Sequence, residues 1–406
     1  MTNLRAGACA VLALLLASVG ASAQADDWTV AFAASPADYK LDEPLQGVVR
    51  AAKAHPPTGT VRFALTLTTG GNAVRVRLSN EDGERPLRIE AASVALAGDQ
   101  PGSASGAIKP LTFHGKTSIT IPAGAPALSD PLPLATKAFD RLVVSTYLPE
   151  GLALVPLGGA GMSVAPGDQT GAATLENARN LVGRPLVSAV AVAADHPTPL
   201  VVAFGDSLTD GLRPKPGPHG YPEELARRFA VAPAAQRRSV VNAGIGGNRV
   251  LVTAWGDNAL ARLDRDVLRL PGVSHMILLE GINDIGMGGP PPLGSGQPVS
   301  ADDLIAGYRQ IIARAHARGI KVIGGTLLPF KGARYFTAGG DQVRLAVNRW
   351  IRTSGEFDGV IDFEAVVRDP ADPLKYRAEF DSGDHLHPND LGYKAIGDAI
   401  DLDLFR

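Results

Sequence analysis

Hydrophobic and polar positions change their period near the middle of the chain. From Trp28 to about Ser188 the period is two. Val61, Phe63, Leu65 and Leu67 alternate with Arg62, Ala64, Thr66 and Thr68. After Gly70-Gly71-Asn72, the residues Val74, Val76 and Leu78 alternate with Arg75, Arg77 and Ser79. Two alternating runs around a Gly-Gly-Asn turn predict a β-hairpin. Leu87, Ile89 and Ala91, then Ile119 and Ile121, then Leu142, Val144 and Leu148 continue the pattern. Turn residues separate these runs at Pro86, Pro101-Gly102, Pro122 and Pro149-Glu150-Gly151. No helix-length apolar stripe is expected among them. Short strands with turns at this spacing predict an antiparallel β-sandwich over residues 28–193.

Ala194-Asp195-His196-Pro197-Thr198-Pro199 reads as a linker, because two prolines disfavour regular structure. From residue 200 the pattern alternates between short apolar runs and helical stripes. Val201-Val202-Ala203-Phe204 predicts a strand buried on both faces. It is followed by a helix from Tyr221 to Phe229 and a strand at Ser239-Val240-Val241-Asn242. A helix is expected from Ala259 to Leu270, with Leu260, Leu263, Val267 and Leu268 on one face. His275 to Leu279 and Val322 to Leu328 predict strands. Ser300 with Asp303 opens a helix between them, beyond a Gly/Pro-rich surface loop at Met287 to Pro298. A helix from Gly340 to Arg352, a short strand at Val360-Ile361-Asp362-Phe363 and a closing helix from Leu391 to Leu404 complete the chain. Strands alternating with helices imply an α/β fold with a mainly parallel sheet and helices on both faces, over residues 200–406.

A length of 406 residues fits two domains. With 45% hydrophobic and 20% charged residues the chain should be globular, and a net charge of -2 gives no basis for nucleic-acid binding. Residues 1–23 have the features of a secretory signal peptide. Arg5 precedes a short apolar core from Ala10 to Val19, and Ala21-Ser22-Ala23 supplies small residues for cleavage. The protein is therefore expected to be secreted or periplasmic, with no membrane span in the mature chain. Cys9, the one cysteine, falls within that segment. The mature chain is then expected to lack disulfides, thiol nucleophiles and thiolate metal sites.

Candidate chemistry lies in the second half. His55 and His114 stand alone in the first, which is expected either to bind a ligand, such as carbohydrate, or to pack against the second half. Four polar clusters follow strands or precede the last helix: Gly205-Asp206-Ser207-Leu208, Asn242-Ala243-Gly244-Ile245-Gly246-Gly247, Gly281-Ile282-Asn283-Asp284 and Asp384-His385-Leu386-His387. Each alone has a plainer reading. Ser207 or Asp384 could cap a helix, the glycine run could be a tight turn, and His385 with His387 could share a strand face and ligate a metal. In order along one α/β pattern, the four clusters resemble the blocks of the SGNH hydrolase superfamily, also called GDSL esterases. The resemblance covers roughly Leu200 to Arg406, and the first half is similar to the strand-rich extension of some secreted members.

The resemblance implies a flavodoxin-like three-layer fold and a serine hydrolase. Ser207 is the implied nucleophile, His387 its base, and Asp384 the carboxylate that orients the base. The oxyanion donors are expected to be the backbone N–H of Ser207, the N–H of Gly247 and the side-chain amide of Asn283. Gly244 and Gly246 remain alternatives to Gly247. The chemistry agrees, since acyl transfer needs a nucleophile, a base, an orienter and donors aimed at the developing oxyanion. No metal or organic cofactor is expected. The expected activity is hydrolysis of acetyl or short-chain acyl esters, small or carbohydrate-linked. Acyl transfer by the same residues, or carbohydrate binding by the first half, stands as an alternative.

Overall fold

A computed structural model describes residues 28–42, 45–155, 160–194, 198–211, 220–289 and 297–406. The expected signal peptide and residues 195–197 of the expected linker lie outside the described residues, as does the middle of the Met287–Pro298 loop.

Among the described residues, the first half contains two large antiparallel sheets and a two-stranded one, Leu87–Ile89 with Ile119–Ile121. One large sheet runs in the order Trp28–Ala33, Val187–Ala193, Gly71–Asn80, Ala125–Leu128, with Leu132–Thr136 also paired to Gly71–Asn80. The other runs Arg179–Gly183, Ala160–Ala165, Gly59–Thr66, Arg141–Leu148, Ala91–Ala97, Ala104–Pro110. Val61, Phe63 and Leu65 of the second sheet and Val74, Val76 and Leu78 of the first share one buried cluster. The alternation of period two reports this shared face, but the opposite face of the second sheet is covered too, since Thr60, Arg62, Ser93 and Ser145 are also buried.

The predicted hairpin around Gly70-Gly71-Asn72 does not form. Gly59–Thr66 pairs with Arg141–Leu148 and Ala160–Ala165, whereas Gly71–Asn80 pairs with Val187–Ala193. The glycine turn carries the chain from one sheet to the other across the core. Alternation places both strands' apolar residues in that core, and it is equally compatible with strands that bond or strands that face each other. A helix, Leu45–Ala54, also interrupts the strand pattern where none was expected. Leu45, Val48, Val49 and Ala52 recur at helical spacing, but only Val49 is buried.

The second half is built on a parallel sheet in the order Ser239–Gly244, Leu200–Gly205, Val273–Leu279, Lys321–Gly325, Gly359–Ile361. Every residue of the central strand Leu200–Gly205 is buried, so helices and loops cover both of its faces. Helix Tyr221–Val231 packs on Asp390–Ala399, and helix Ala301–His316 packs on Ala338–Thr353 and Ala259–Leu263. The first strand of this sheet lies between the second and third. Doubly wound sheets place their ligands at the carboxyl ends of strands at such a reversal of order.

Two predicted helices are shorter than expected. The one from Ala259 stops at Leu263 and continues as a π-helical turn, Asp264–Leu268. The closing helix spans Asp390–Ala399, and a 3₁₀ turn follows at Leu402–Phe405. It breaks at Ile400, where the Arg228 guanidinium takes the carbonyls of Gly397 (2.8 Å) and Ile400 (2.5 Å). The Ser300–Asp303 capping pair forms as expected, with each side chain accepting the other residue's N–H at 3.1 Å.

The halves meet where strand Trp28–Ala33 packs on Ser239–Gly244. Ser239 Oγ donates to Val30 O at 2.6 Å and lies 3.1 Å from Thr68 Oγ1. Arg265 of the second half pairs with Asp82 of the first at 3.2 Å and donates to Pro36 O at 2.9 Å.

His275, at the start of its strand, is 4% exposed. Its ring packs edge-on to Phe405 and Nδ1 shares a hydrogen bond with Ser274 Oγ at 2.9 Å. Burial, helped by Lys321 and Arg238, pulls the imidazole down to about 4. Between that value and the ordinary 6.5 the unfolded chain takes up a proton that the native one refuses, so this contribution to stability is lost as pH falls. Urea unfolding of wild type and His275→Leu at pH 7 and pH 4.5 should show the wild type losing up to about 3 kcal/mol more than the variant.

Candidate active site

Strand Leu200–Gly205 ends at a glycine, and Asp206 then caps the short helix Ser207–Asp210 by accepting the Leu208 N–H at 2.9 Å. Ser207 is the first residue of that helix. Its N–H therefore has no intrahelical acceptor, and its side chain points to the carboxyl edge of the sheet. His387 reaches it from the loop before helix Asp390–Ala399. His387 Nε2 lies 2.8 Å from Ser207 Oγ, and His387 Nδ1 lies 2.6 Å from Asp384 Oδ2. These three side chains form one continuous line across 180 residues of sequence.

Asp384 is fixed by its own loop. Its Oδ1 accepts the backbone N–H groups of Leu386 and His387, both at 2.9 Å, and the Ser382 hydroxyl at 2.9 Å. Partial burial alone would raise this carboxyl, but the hydrogen bonds and charge of His387 hold it well below the usual carboxylate range. Asn389, not Asp384, caps the following helix, through the Gly392 N–H at 3.0 Å. His385 takes a left-handed backbone (φ 60°) and turns to Asp381, with Nδ1 2.5 Å from Oδ2. The two neighbouring histidines thus face different partners.

The glycine cluster follows strand Ser239–Gly244. The Gly244 N–H donates to Asn242 Oδ1 (2.9 Å) and the Gly246 N–H to Asp210 Oδ2 (3.1 Å). Among the described residues, the Gly247 N–H has no such acceptor, so of the three glycines it is the one left to serve a ligand. Gly247 has φ 77°, and a Cβ there would stand 2.6 Å from the Trp255 ring. Only glycine fits both the turn and the indole.

Asn283 is the second residue of the short helix Ile282–Met287, which follows strand Val273–Leu279, and it is buried. Its Nδ2 donates to Asn248 O at 3.0 Å, and among the described residues its second amide hydrogen has no acceptor. Its Oδ1 accepts the Tyr335 hydroxyl at 3.1 Å, which sets the orientation of the amide. A Cβ on Gly286 would fall 2.3 Å from that tyrosine ring, so the glycine makes room for it. Asp284, beside Asn283, accepts the Val250 and Leu251 N–H groups at 2.7 and 3.0 Å. Burial still pushes its carboxyl up to about 6.

Residues 203–395 match the family model for GDSL-like lipases and acylhydrolases. The chain carries a GDSL-like lipase/acylhydrolase domain. That domain is a hydrolase fold acting on acyl esters. No curated protein matches the chain significantly. Among solved structures, an acetylxylan esterase from Geobacillus stearothermophilus is similar at 21% identity over 50% of this chain and 91% of that one, with a TM-score of 0.39. A GDSL-like lipase from Bacteroides thetaiotaomicron is similar at 18% identity over 50% and 87%, also with a TM-score of 0.39.

Sequence reasoning missed three groups that hold the GDSL site. Tyr335 gave no signal beyond a lone aromatic in a loop. Asn248 ended the glycine cluster without an evident task, yet its side chain is fully engaged. It donates to Trp255 O (2.7 Å) and Asp257 O (2.8 Å) and accepts Arg262 Nε at 2.8 Å. Arg262 lies in the short helix Ala259–Leu263 and is wholly buried. It donates to the carbonyls of Ala243 (2.7 Å) and Gly205 (2.8 Å), and pairs with Asp266 (3.0 Å) and Glu280 (3.5 Å). The π turn after Leu263 carries Asp266, and its carboxylate folds back onto the guanidinium.

Removing Arg262 would leave Glu280 buried without its cation, Asp266 with Arg265 alone, and the Gly205 and Ala243 carbonyls and Asn248 without their donor. Arg262→Ala should destabilise the fold by about 3–5 kcal/mol in denaturant titration. Arg262→Lys should recover only part of the loss, because an ammonium cannot serve two carbonyls, Asn248 and two carboxylates from one planar fork.

Proposed function

We propose that this protein is an exported serine esterase that hydrolyses carboxylic esters carrying acetyl or short acyl groups, free or on carbohydrate. The observation that carries this reading is the unbroken line from Asp384 through His387 to Ser207, at 2.6 and 2.8 Å. A serine hydroxyl is a weak nucleophile unless a base takes its proton as it attacks. His387 Nε2 is within reach of that proton, and the ionised Asp384 steadies the imidazolium that results.

Ser207 Oγ attacks the ester carbonyl carbon while its proton passes to His387. The carbonyl oxygen becomes an oxyanion facing the N–H of Ser207, the N–H of Gly247 and the second amide hydrogen of Asn283. Collapse of this intermediate breaks the bond to the alcohol, which leaves with the proton from His387. The acyl group then remains on Ser207. Water, deprotonated by His387, attacks that ester in turn and releases the acid.

The preference for small acyl groups is supported by an aromatic content of 5%, which offers little surface to a long chain. Export is supported by the leader-like residues 1–23. Among the described residues, no helix is long and apolar enough to cross a membrane.

Nitrophenyl esters from acetate to palmitate, assayed beside an acetylated glycan, should show turnover falling as the acyl chain lengthens. Ser207→Ala should lower kcat by at least about 10⁴-fold with an unchanged circular dichroism spectrum. Full activity in that variant would overturn the assignment. Asn283→Ala should lower kcat by about 100- to 1,000-fold, the usual loss for one oxyanion donor.

A further inference from the structure

We propose that the strand-rich first half is a working part of the hydrolytic site, in which Arg184 and Tyr39 are positioning residues for the loop that carries the Gly247 N–H. This rests on the reading of Ser207, His387 and Gly247 given above. It assigns a task to a region that sequence patterns left divided between ligand binding and packing.

The first contact is ionic. Arg184 lies between strands Arg179–Gly183 and Val187–Ala193 of the first half. Its Nη2 stands 2.6 Å from Asp210 Oδ2 and its Nη1 stands 3.4 Å from Oδ1. Nη1 also donates to Gly244 O at 3.3 Å. Asp210 ends the short helix that Ser207 begins, and its Oδ2 accepts the Gly246 N–H as well. One cation of the first half therefore fixes the far end of the nucleophile's helix and both ends of Gly244–Gly246. The two side chains are only 10% and 16% exposed, so solvent screens the pair weakly.

The second contact is a stack. After strand Trp28–Ala33 the chain crosses onto the second half, where Tyr39 forms a β-bridge with Trp255 and the Lys40 N–H donates to Ala254 O at 2.8 Å. The Tyr39 ring meets the Trp255 ring edge-on, with centroids 5.8 Å apart. Trp255 in turn lies against Gly247, on the side where any other residue would carry its Cβ. Tyr39 is buried and backs the indole away from solvent.

The physical need for such bracing is specific to this loop. Gly244, Gly246 and Gly247 make the backbone soft, and glycine loses more freedom on ordering than any other residue. An oxyanion donor works only if it is held within a few tenths of an ångström before the charge develops. The polar and the aromatic brace approach the loop from different segments of the first half, and neither touches the place where an ester would react. Loosening either one should misplace the donor in the transition state and leave substrate binding nearly unchanged.

The test uses the full chain with a short nitrophenyl ester. Arg184→Ala and Tyr39→Leu should each lower kcat by between about 10-fold and 100-fold, with KM within about twofold of wild type. Affinity for an alkyl boronic acid, which becomes tetrahedral and anionic on the serine, should fall by the same factor as kcat/KM. Arg184→Lys should recover part of both losses. Rates are divided by the active fraction counted with a fluorophosphonate, so partial unfolding is removed from the comparison. Should Arg184→Ala not fold, Arg184→Lys and Tyr39→Leu carry the same measurement. Wild-type kcat and boronate affinity per active site in these variants would overturn the inference. Activity that survives Ser207→Ala would instead overturn the hydrolytic reading, so the two failures are distinct.

Discussion

Arg262 has no contact with solvent, and its five N–H donors are divided among Asn248, the carbonyls of Ala243 and Gly205, Asp266 and Glu280. A buried charge is tolerable only when its whole hydrogen-bonding capacity is met. Here that requirement becomes a geometric constraint. The guanidinium can be satisfied only if the carboxyl ends of strands Leu200–Gly205 and Ser239–Gly244 and the residue after Val273–Leu279 converge on one point. Through Asn248 the same cation sets the loop that follows Gly247, and through Asn248 O that loop meets the Asn283 amide. Gly205, Ala243, Asn248, Glu280 and Asn283 are thus members of one buried network. Burial raises the carboxyls of both Glu280 and Asp206 around it, which limits the negative charge that this network gathers beneath the nucleophile.

His387 is held by different means. Its loop depends on short-range bonds: Asp384 to the backbone of Leu386 and His387, Tyr376 Oη to Leu386 O at 2.7 Å, and Asn389 Nδ2 to Glu379 O at 2.7 Å. Ser207 and its neighbours rest on the buried sheet edge, while His387 arrives on a self-supporting turn. This division matches their tasks. Under the proposed reaction the oxyanion donors must not move as charge develops, whereas the base must take up and release a proton in each half of the cycle.

Much of the fold of the second half can be read from the chain because each strand is a local apolar run bounded by turn residues. The polar clusters are likewise local, and the side chains of Ser207, Asp384 and His387 meet in space as their order suggested. What escaped reading was long-range. Arg262 stands in an apolar stripe as a charged residue, and no neighbour in sequence signals that its partners are strand ends up to 57 residues away. Tyr335 reaches Asn283 across 52 residues for the same reason. The strand pairing of the first half was misjudged because alternation records which face is buried and is silent on which strand lies beside which. Helix Leu45–Ala54 carried a helical spacing, but too narrow a buried face to stand out among strands.

The sheet of the first half that meets the second half also sets an order of events during synthesis. Among the described strands, Trp28–Ala33 has Val187–Ala193 as its one ladder partner, as Trp28 opposite Ala193 illustrates, and Gly71–Asn80 joins the sheet through the same late partner. A chain emerging amino end first must therefore keep its earliest strand unpaired until some 160 further residues have appeared. Exposed strand edges invite pairing with other chains. Delayed closure of this kind leaves the amino-terminal strand open to such encounters until most of the first half has been made.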